Sequence, residues 1–417
     1  MRIIHTSDWH LGHQLHQVHR EYEHDRFLSW LLTALVEKQV DALLIAGDIF
    51  DSSNPPVSAQ KQLFRFLAQA REKLPAHFQV VLIGGNHDSA ARLDAPRELL
   101  QAMRVNVIGG VPRRADGAVD AAAMAVPLRG KSGEIEAWCA AMPFIRVSDI
   151  SIKSVQAEPR EDDPLVEGVR ALYKTLLDHV FSARTAGQAV VATGHCYMVG
   201  SQVSELSERK ILGGNQHALP ADIFPEELAY AALGHLHRSQ AVGGKAWIRY
   251  CGSPIPLSFA EAGYKHGVCL LELKGEKLVS TEDLPIPRVV PMIRLPALEP
   301  LELFERLAHL PDASEDQREE ERPFLELTVS LSAPLPGLRR KIEAALEGKA
   351  PRLLKLAVVY RGDGAALADR VYARTLKDMQ VGEVFADCYR KSYDGEPPGE
   401  LSSMFHELVE AVEGERI

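Results

Sequence analysis

An α/β fold built on a parallel sheet is predicted, and three observations predict it. Short apolar runs, Ala42-Leu43-Leu44-Ile45-Ala46 and Val80-Val81-Leu82-Ile83 among them, have the length and composition of strands buried on both faces. Segments with helical spacing lie between them, and the short links imply right-handed parallel crossovers. Each run then stops at a small residue and delivers polar groups: Ser7-Asp8-Trp9-His10, Gly47-Asp48, and Gly84-Gly85-Asn86-His87-Asp88. Residues just past the carboxyl ends of such strands line the crevice where open α/β sheets bind ligands.

Taken in order, residues 2–6 are the first strand, ending in Asp8 and His10, which are close enough to reach a single ion. His13, His16 and His19 read as a solvated loop and are not counted as ligands. Phe27, Trp30, Leu31, Ala34 and Leu35 predict a helix over 23–39. A strand over 41–46 ends at Asp48, a turn follows at 51–56, and a helix over 58–73 leads to the strand 79–83. A helix over 96–103 comes next, and the stretch to about residue 140, rich in Gly, Ala and Arg, gives no assignable element. After a helix over 165–182, two more apolar runs end in Gly194-His195 and Gly234-His235-Leu236-His237. A strand over 247–253 precedes Pro254. Read together, these motifs place their ligands on one edge of one sheet.

From Met292 the texture changes. Strand 293–295, helix 301–310, a charged link 312–322, strand 324–331, helix 338–346 and strand 354–359 form a β-α-β-α-β module without a ligand cluster. Residues 363–417 carry two helical patterns around Gly395-Glu396-Pro397-Pro398-Gly399. Leu401, Met404, Phe405, Leu408 and Val412 form an apolar stripe there, suited to docking on its own domain or on a partner.

The totals bound the function. At 417 residues the chain is expected to hold two or three domains, and 46% hydrophobic with 25% charged residues is ordinary soluble composition. A net charge of −10, from 47 basic and 57 acidic residues, argues against gripping nucleic acid by bulk positive charge. Five cysteines without CxxC spacing suit a reducing cytosol and give no zinc-ribbon signal. Neither a secretory signal nor an uncharged span of bilayer length is present, so a cytoplasmic protein with no membrane partner is expected.

Asp8, His10, Asp48, Asn86, His195, His235 and His237 form the ligand set. Carboxylate, amide and imidazole without thiolate favour Mn²⁺, Fe²⁺ or Zn²⁺ over Ca²⁺ and Mg²⁺. Seven ligands suit two ions, with Asp48 as the bridge, and an ion pair roughly 3.5–4 Å apart is machinery for hydrolysis. His87 is left to give a proton to the leaving alkoxide, and Asp88 to hold that imidazole.

The ordered set Asp8-x-His10, Gly47-Asp48, Gly85-Asn86-His87-Asp88, Gly194-His195 and Gly234-His235-Leu236-His237 resembles the calcineurin-like metallophosphoesterase superfamily. His5-Thr6-Ser7-Asp8-Trp9-His10-Leu11-Gly12, Ala46-Gly47-Asp48-Ile49-Phe50-Asp51 and Arg249-Tyr250-Cys251-Gly252-Ser253-Pro254-Ile255-Pro256-Leu257-Ser258-Phe259 are similar to the SbcD family of bacterial nuclease subunits, relatives of the meiotic recombination eleven nucleases. The resemblance implies a β-sandwich flanked by helices over 1–288, a small α+β capping domain contacting DNA over 289–362, and C-terminal helices over 363–417 that dock on an ATPase. It assigns one Mn²⁺ to Asp8, His10, Asp48 and His237, the other to Asp48, Asn86, His195 and His235, and matches His87 to the family's catalytic histidine.

The activity implied is ATP-assisted 3′→5′ exonuclease cleavage of double-stranded DNA ends, with endonuclease cleavage of hairpins and single strands, in repair, recombination and replication. The implied partners are an SbcC-type ABC ATPase with a long coiled coil and a second copy of the chain, giving a homodimer within a heterotetramer. Asp51 stands where archaeal relatives carry histidine and receives no catalytic role. Arg92, Arg129 and Lys131 would assist DNA only locally. A phosphoesterase for small phosphodiesters needs no module after Met292, a Ser/Thr phosphatase would carry Gly-Asn-His-Glu, and a non-catalytic scaffold would have lost ligands.

Overall fold

A computed structural model describes residues 1–150, 164–202, 218–332 and 335–361, with isolated positions 385, 389–390, 397–398, 401 and 404–405. Strands Arg2–Thr6, Ala42–Ala46, Gln79–Ile83 and Val105–Ile108 are consecutive parallel neighbours. The antiparallel hairpin Gly267–Lys274 and Lys277–Pro285, absent from the elements the sequence predicts, extends this sheet beyond Arg2–Thr6. Alternation along the strands sorts the side chains. Ile4, Leu43 and Ile45 meet Phe27, Leu31 and Leu35 of helix Glu21–Glu37 and Phe66 of helix Val57–Lys73. Ile3, Leu44 and Val81 face the other way.

What they face is a second sheet, as the β-sandwich implied by the resemblance requires, and it corrects the reading of the motifs as the edge of one sheet. Strands Ala189–His195 and Tyr230–Gly234 pair in parallel with each other, inside a six-stranded sheet ordered Gln240–Val242, Lys245–Tyr250, Tyr230–Gly234, Ala189–His195, Ile135–Ala141, Ala125–Arg129. Val190, Ala192, Ala231 and Leu233 share one core with Ile3, Leu44 and Val81, making a sandwich. Helix Pro164–Ala183 packs Leu172, Tyr173, Leu176 and Leu177 into the same core. A buried strand of either sheet has the same length and period, so the sequence cannot show which partner it pairs with.

The unassigned stretch to residue 140 supplies Val105–Ile108 and the antiparallel pair Ala125–Arg129 and Ile135–Ala141. The expected helix over 96–103 is Arg97–Ala102, and a further short helix, Ala90–Asp94, precedes it. Ile135–Ala141 runs parallel to Ala189–His195, with Ala141 opposite Thr193 and Arg129 paired to Ile135. Arg129 and Lys131 therefore sit at the end of the sheet away from His195, against the local role expected of them.

Strands Met292–Leu298, Phe324–Leu331 and Arg352–Tyr360 form a three-stranded sheet in that order, with helices Pro300–Ala308 and Leu338–Ala345. Leu303, Leu307, Leu325, Leu327, Leu338 and Ile342 are its buried apolar residues. The guanidinium groups of Arg20 and Arg352 lie over Phe324, 5.1 and 4.8 Å from its ring centre, and Phe324 clusters with Leu15, Phe259 and Val290.

The chain divides into Met1–Val329 with Gly337–Ala357, and Ser330–Pro336 with Val358–Ile417. In the second unit the Arg361 amide donates to the Leu331 carbonyl (2.7 Å), and the Phe385 and Phe405 rings stack with centroids 4.2 Å apart. Most of 363–417, with Leu408 and Val412 of the apolar stripe, lies outside the described residues. Among the described residues no helix is long and apolar enough to cross a membrane.

Candidate metal centre

The backbone builds the site before any side chain does. Asp8, His10, Asp48 and His235 have positive φ of 53°, 46°, 48° and 105°. Residues other than glycine avoid that region, and such strain gathers at functional sites. Ladder-like bonds hold two of these loops together: the Asp8 amide donates to Gly47 O and the His10 amide to Asp48 O, both at 3.0 Å.

Glycines let the loops close further. A Cβ on Gly85 would lie 2.2 Å from Asp48 Oδ1, and one on Gly234 would lie 1.9 Å from the Ala46 carbonyl of the facing sheet. Gly234→Ala is expected to cost about 3 kcal/mol, the upper end of the overpacking range, because the obstacle is backbone. Thermal denaturation beside the wild type reads this directly, and an unchanged melting temperature would mean that the sheets can part freely.

Onto this rim the side chains converge. Three groups of ligand atoms each lie within 4.8 Å of one another: Asp8, His10 and His237; His10, Asp48 and His87; Asp8, Asp48 and His195. Asn86 Oδ1 is 2.9 Å from His195 Nε2, and the His235 ring centre is 5.4 Å from that of His195. The His235 amide donates to both Asp8 oxygens, at 3.0 and 3.2 Å. Asp48 Oδ1 accepts the His87 amide at 2.8 Å. Its Oδ2 lies 3.6 Å from His10 Nε2 and 3.2 Å from His195 Nε2. Asn86 and His87 are half-buried; the other six expected ligands are buried.

Asp88 does not hold the His87 ring, the role its place in the sequence suggests. Its carboxylate accepts the amides of Ile49 (3.1 Å), Phe50 (3.0 Å) and Gly85 (2.9 Å), tying the Asp48 loop to the Asn86 loop. The His87 ring is oriented instead by Nδ1–H donation to the Asp51 carbonyl, 2.8 Å away. Burial and the nearby Asp48 charge raise the Asp88 pKa to about 6, against the pull of the three amides.

Three residues to which the sequence reading gives no role complete the surroundings. Asp51 Oδ1 accepts from His10 Nδ1 (3.2 Å) and His13 Nδ1 (3.0 Å). Glu261 Oε1 accepts from His237 Nδ1 at 3.0 Å. Arg146 donates to the Asp88 carbonyl at 3.1 Å and lies over Phe144, whose ring neighbours that of His195. His195 Nδ1 donates to the Ala46 carbonyl at 2.9 Å. In His10, His195 and His237 alike, the acceptor takes the Nδ1 proton, which leaves the lone pair of the neutral ring at Nε2.

These residues fit divalent cations. His10 Nε2 is buried and has no hydrogen-bond partner among the described residues, an arrangement that costs energy unless something else meets its lone pair. Burial opposes charge on Asp48, yet His195, His10 and His87 hold its carboxyl well below the usual range. Burial likewise opposes charge on His195, but Asp48 overcomes it and lifts the pKa to about 9.

Residues 1–239 match the calcineurin-like phosphoesterase family, and residues 288–393 match the family described as type 5 capsule protein repressor C-terminal domain. The chain belongs to the calcineurin-like phosphoesterases, the class that its fold and site define. Its relatives narrow the placement. It is 41% identical to the SbcD subunit of the nuclease SbcCD from Rhodobacter capsulatus, over 86% of this chain and 87% of that one. Identity to the SbcD subunit of Escherichia coli K12 is 33%, over 92% of each chain, and to that of Bacillus subtilis 29%, over 100% and 99%. Within that class it is a member of the SbcD family.

Proposed function

We propose that this chain is a DNA nuclease subunit that hydrolyses phosphodiesters at a two-ion centre, with an ABC-type ATPase of the SbcC kind as its partner. The observation that carries the reading is Asp48 Oδ2, which lies 3.6 Å from His10 Nε2 and 3.2 Å from His195 Nε2, so that one carboxylate stands within reach of both halves of the ligand set. Asp8, His10, Asp48 and His237 would hold one ion, and Asp48, Asn86, His195 and His235 the other. Carboxylate, amide and imidazole donors suit Mn²⁺, Fe²⁺ or Zn²⁺, and the resemblance to the SbcD family favours Mn²⁺ among them. Two such cations supply Lewis acidity towards the phosphodiester and a nucleophile drawn from water near neutral pH.

The chain's own residues do the rest. Asp88 keeps the Asp48 and Asn86 loops in register through its three amide bonds. His87, fixed through Nδ1, holds a proton at Nε2 and gives it to the departing alkoxide. Residues 289–362 would contact DNA and 363–417 would dock on the ATPase, with two copies of the chain in a heterotetramer. The β-α-β-α-β module and the relatives' designation as one subunit of a two-component nuclease support this arrangement. The free cysteines among the described residues support a cytoplasmic setting. A Mn²⁺-dependent assay on hairpin and blunt duplex DNA, with and without the ATPase, tests the proposal. Equal inactivity of both preparations would overturn it.

A pH dependence follows from His195. In the metal-free protein its pKa of about 9 exceeds the ordinary 6.5, so the folded state keeps a proton that the unfolded chain releases. The stability this gives is complete below 6.5 and is lost as pH rises through about 9. Metal uptake at neutral pH should therefore release a proton, which His195→Gln should abolish. Titration calorimetry in buffers of different ionisation enthalpy measures that proton.

A further inference from the structure

We infer that Glu261 is a positioning residue for the metal centre: its carboxylate fixes His237 with Nε2 towards Asp8 and His10, and also tethers the loop against which the β-α-β-α-β module packs. The inference rests on the two-ion reading above. Glu261 ends the short 3₁₀ turn Phe259–Glu261 and is completely buried. Its Oε1 accepts from His237 Nδ1 at 3.0 Å and its Oε2 from the Leu257 amide at 2.8 Å. A carboxylate has no proton to offer, so Nδ1 carries the proton and the lone pair of the neutral ring is at Nε2.

The same loop is held from the other side. The Leu257 carbonyl accepts from His13 Nε2 and the Pro256 carbonyl from Arg20 Nη1, each at 3.0 Å. Arg20 lies over Phe324, and Phe259 packs with Leu15, Val290 and Phe324. One buried carboxylate thus stands between a candidate ligand and the seat of the module.

Glutamine has the same shape but only one acceptor oxygen. If that oxygen meets the Leu257 amide, the Gln NH₂ faces His237 Nδ1, which must then be bare, and the ring proton moves to Nε2. If it meets His237 instead, the NH₂ group opposes the Leu257 amide and the tether is lost. Placing the wrong tautomer at a well-kept geometry is how such a swap removes function without unfolding. Removing an outer hydrogen-bond partner of this kind lowers metal affinity about 10–100-fold.

The test is Mn²⁺ binding to the full chain by titration calorimetry and electron paramagnetic resonance. The wild type should take up two ions with a spin-coupled signal. Glu261→Gln should keep one at wild-type affinity, bind the second about 10–100-fold more weakly, and show the uncoupled six-line signal. Wild-type affinity at both sites in Glu261→Gln, or equal weakening of both, would overturn the inference. Failure of the wild type itself to bind two ions would instead sink the two-ion reading. Should the Gln variant not fold, Glu261→Asp keeps an acceptor-only group. Retention of its second ion more tightly than in His237→Gln supports the inference, and a loss equal to that of His237→Gln overturns it.

Discussion

His87→Gln is expected to lower turnover on duplex DNA ends by about 10²–10⁴-fold while both metal ions stay bound. The backbone contact at this position is independent of the side chain, because it is the His87 amide that donates to Asp48 Oδ1. Glutamine can still reach the Asp51 carbonyl by hydrogen bonding, but it cannot carry a proton to a leaving group. The contrast is sharpened by position: a ring nitrogen of His87 lies within ligand range of His10 and Asp48, and its ring centre is 4.8 Å from that of His10. A drop in metal content parallel to the drop in rate would make His87 a ligand and end its assignment as an acid. A substrate with sulfur in place of the leaving oxygen departs without needing a proton, and should recover most of the loss.

Asp48→Asn should remove both ions and reduce cleavage to background. The substituted amide can keep one oxygen for the His87 amide, but its NH₂ then occupies the place of Oδ2 between His10 and His195. A donor there repels cations and leaves nothing to bridge them. His235→Gln, by comparison, should empty one site and leave the other. Metal content of the purified variants separates the two outcomes, and an Asp48→Asn protein holding two ions would show that another group does the bridging, such as Asp8, whose carboxylate lies within 4.8 Å of that of Asp48.

The positions of the expected ligands were legible because each follows a strand that halts at a small residue, a local pattern. Sheet membership was not, since Ala189–His195 and Tyr230–Gly234 find their partners through tertiary packing. The groups that orient the imidazoles were hidden for the same reason. Glu261 is 24 residues from His237 and Asp51 is 41 from His10, separations with no periodic signal. Asp51 alone had a local cue, lying three residues after Asp48 on the same loop. Asp88 adjoins His87 in sequence, but adjacency along the chain does not bring side chains together, and its carboxylate meets the amides of Ile49, Phe50 and Gly85 instead. Its turns and charged link mark the module after Met292 to within a few residues, whereas the hairpin Gly267–Lys274 and Lys277–Pro285 is not among the predicted elements despite a turn at Gly275.

The left-handed backbone at Asp8, His10, Asp48 and His235 has an evolutionary corollary. Each such residue other than glycine costs roughly 1–2 kcal/mol that glycine would not. A descendant freed from the need to cleave anything would gain stability by replacing them, one at a time, with glycine. Glycine at positions 8, 10, 48 or 235 of a homologue would therefore be a fossil of abandoned chemistry, recognisable even where every strand of the sandwich had been kept.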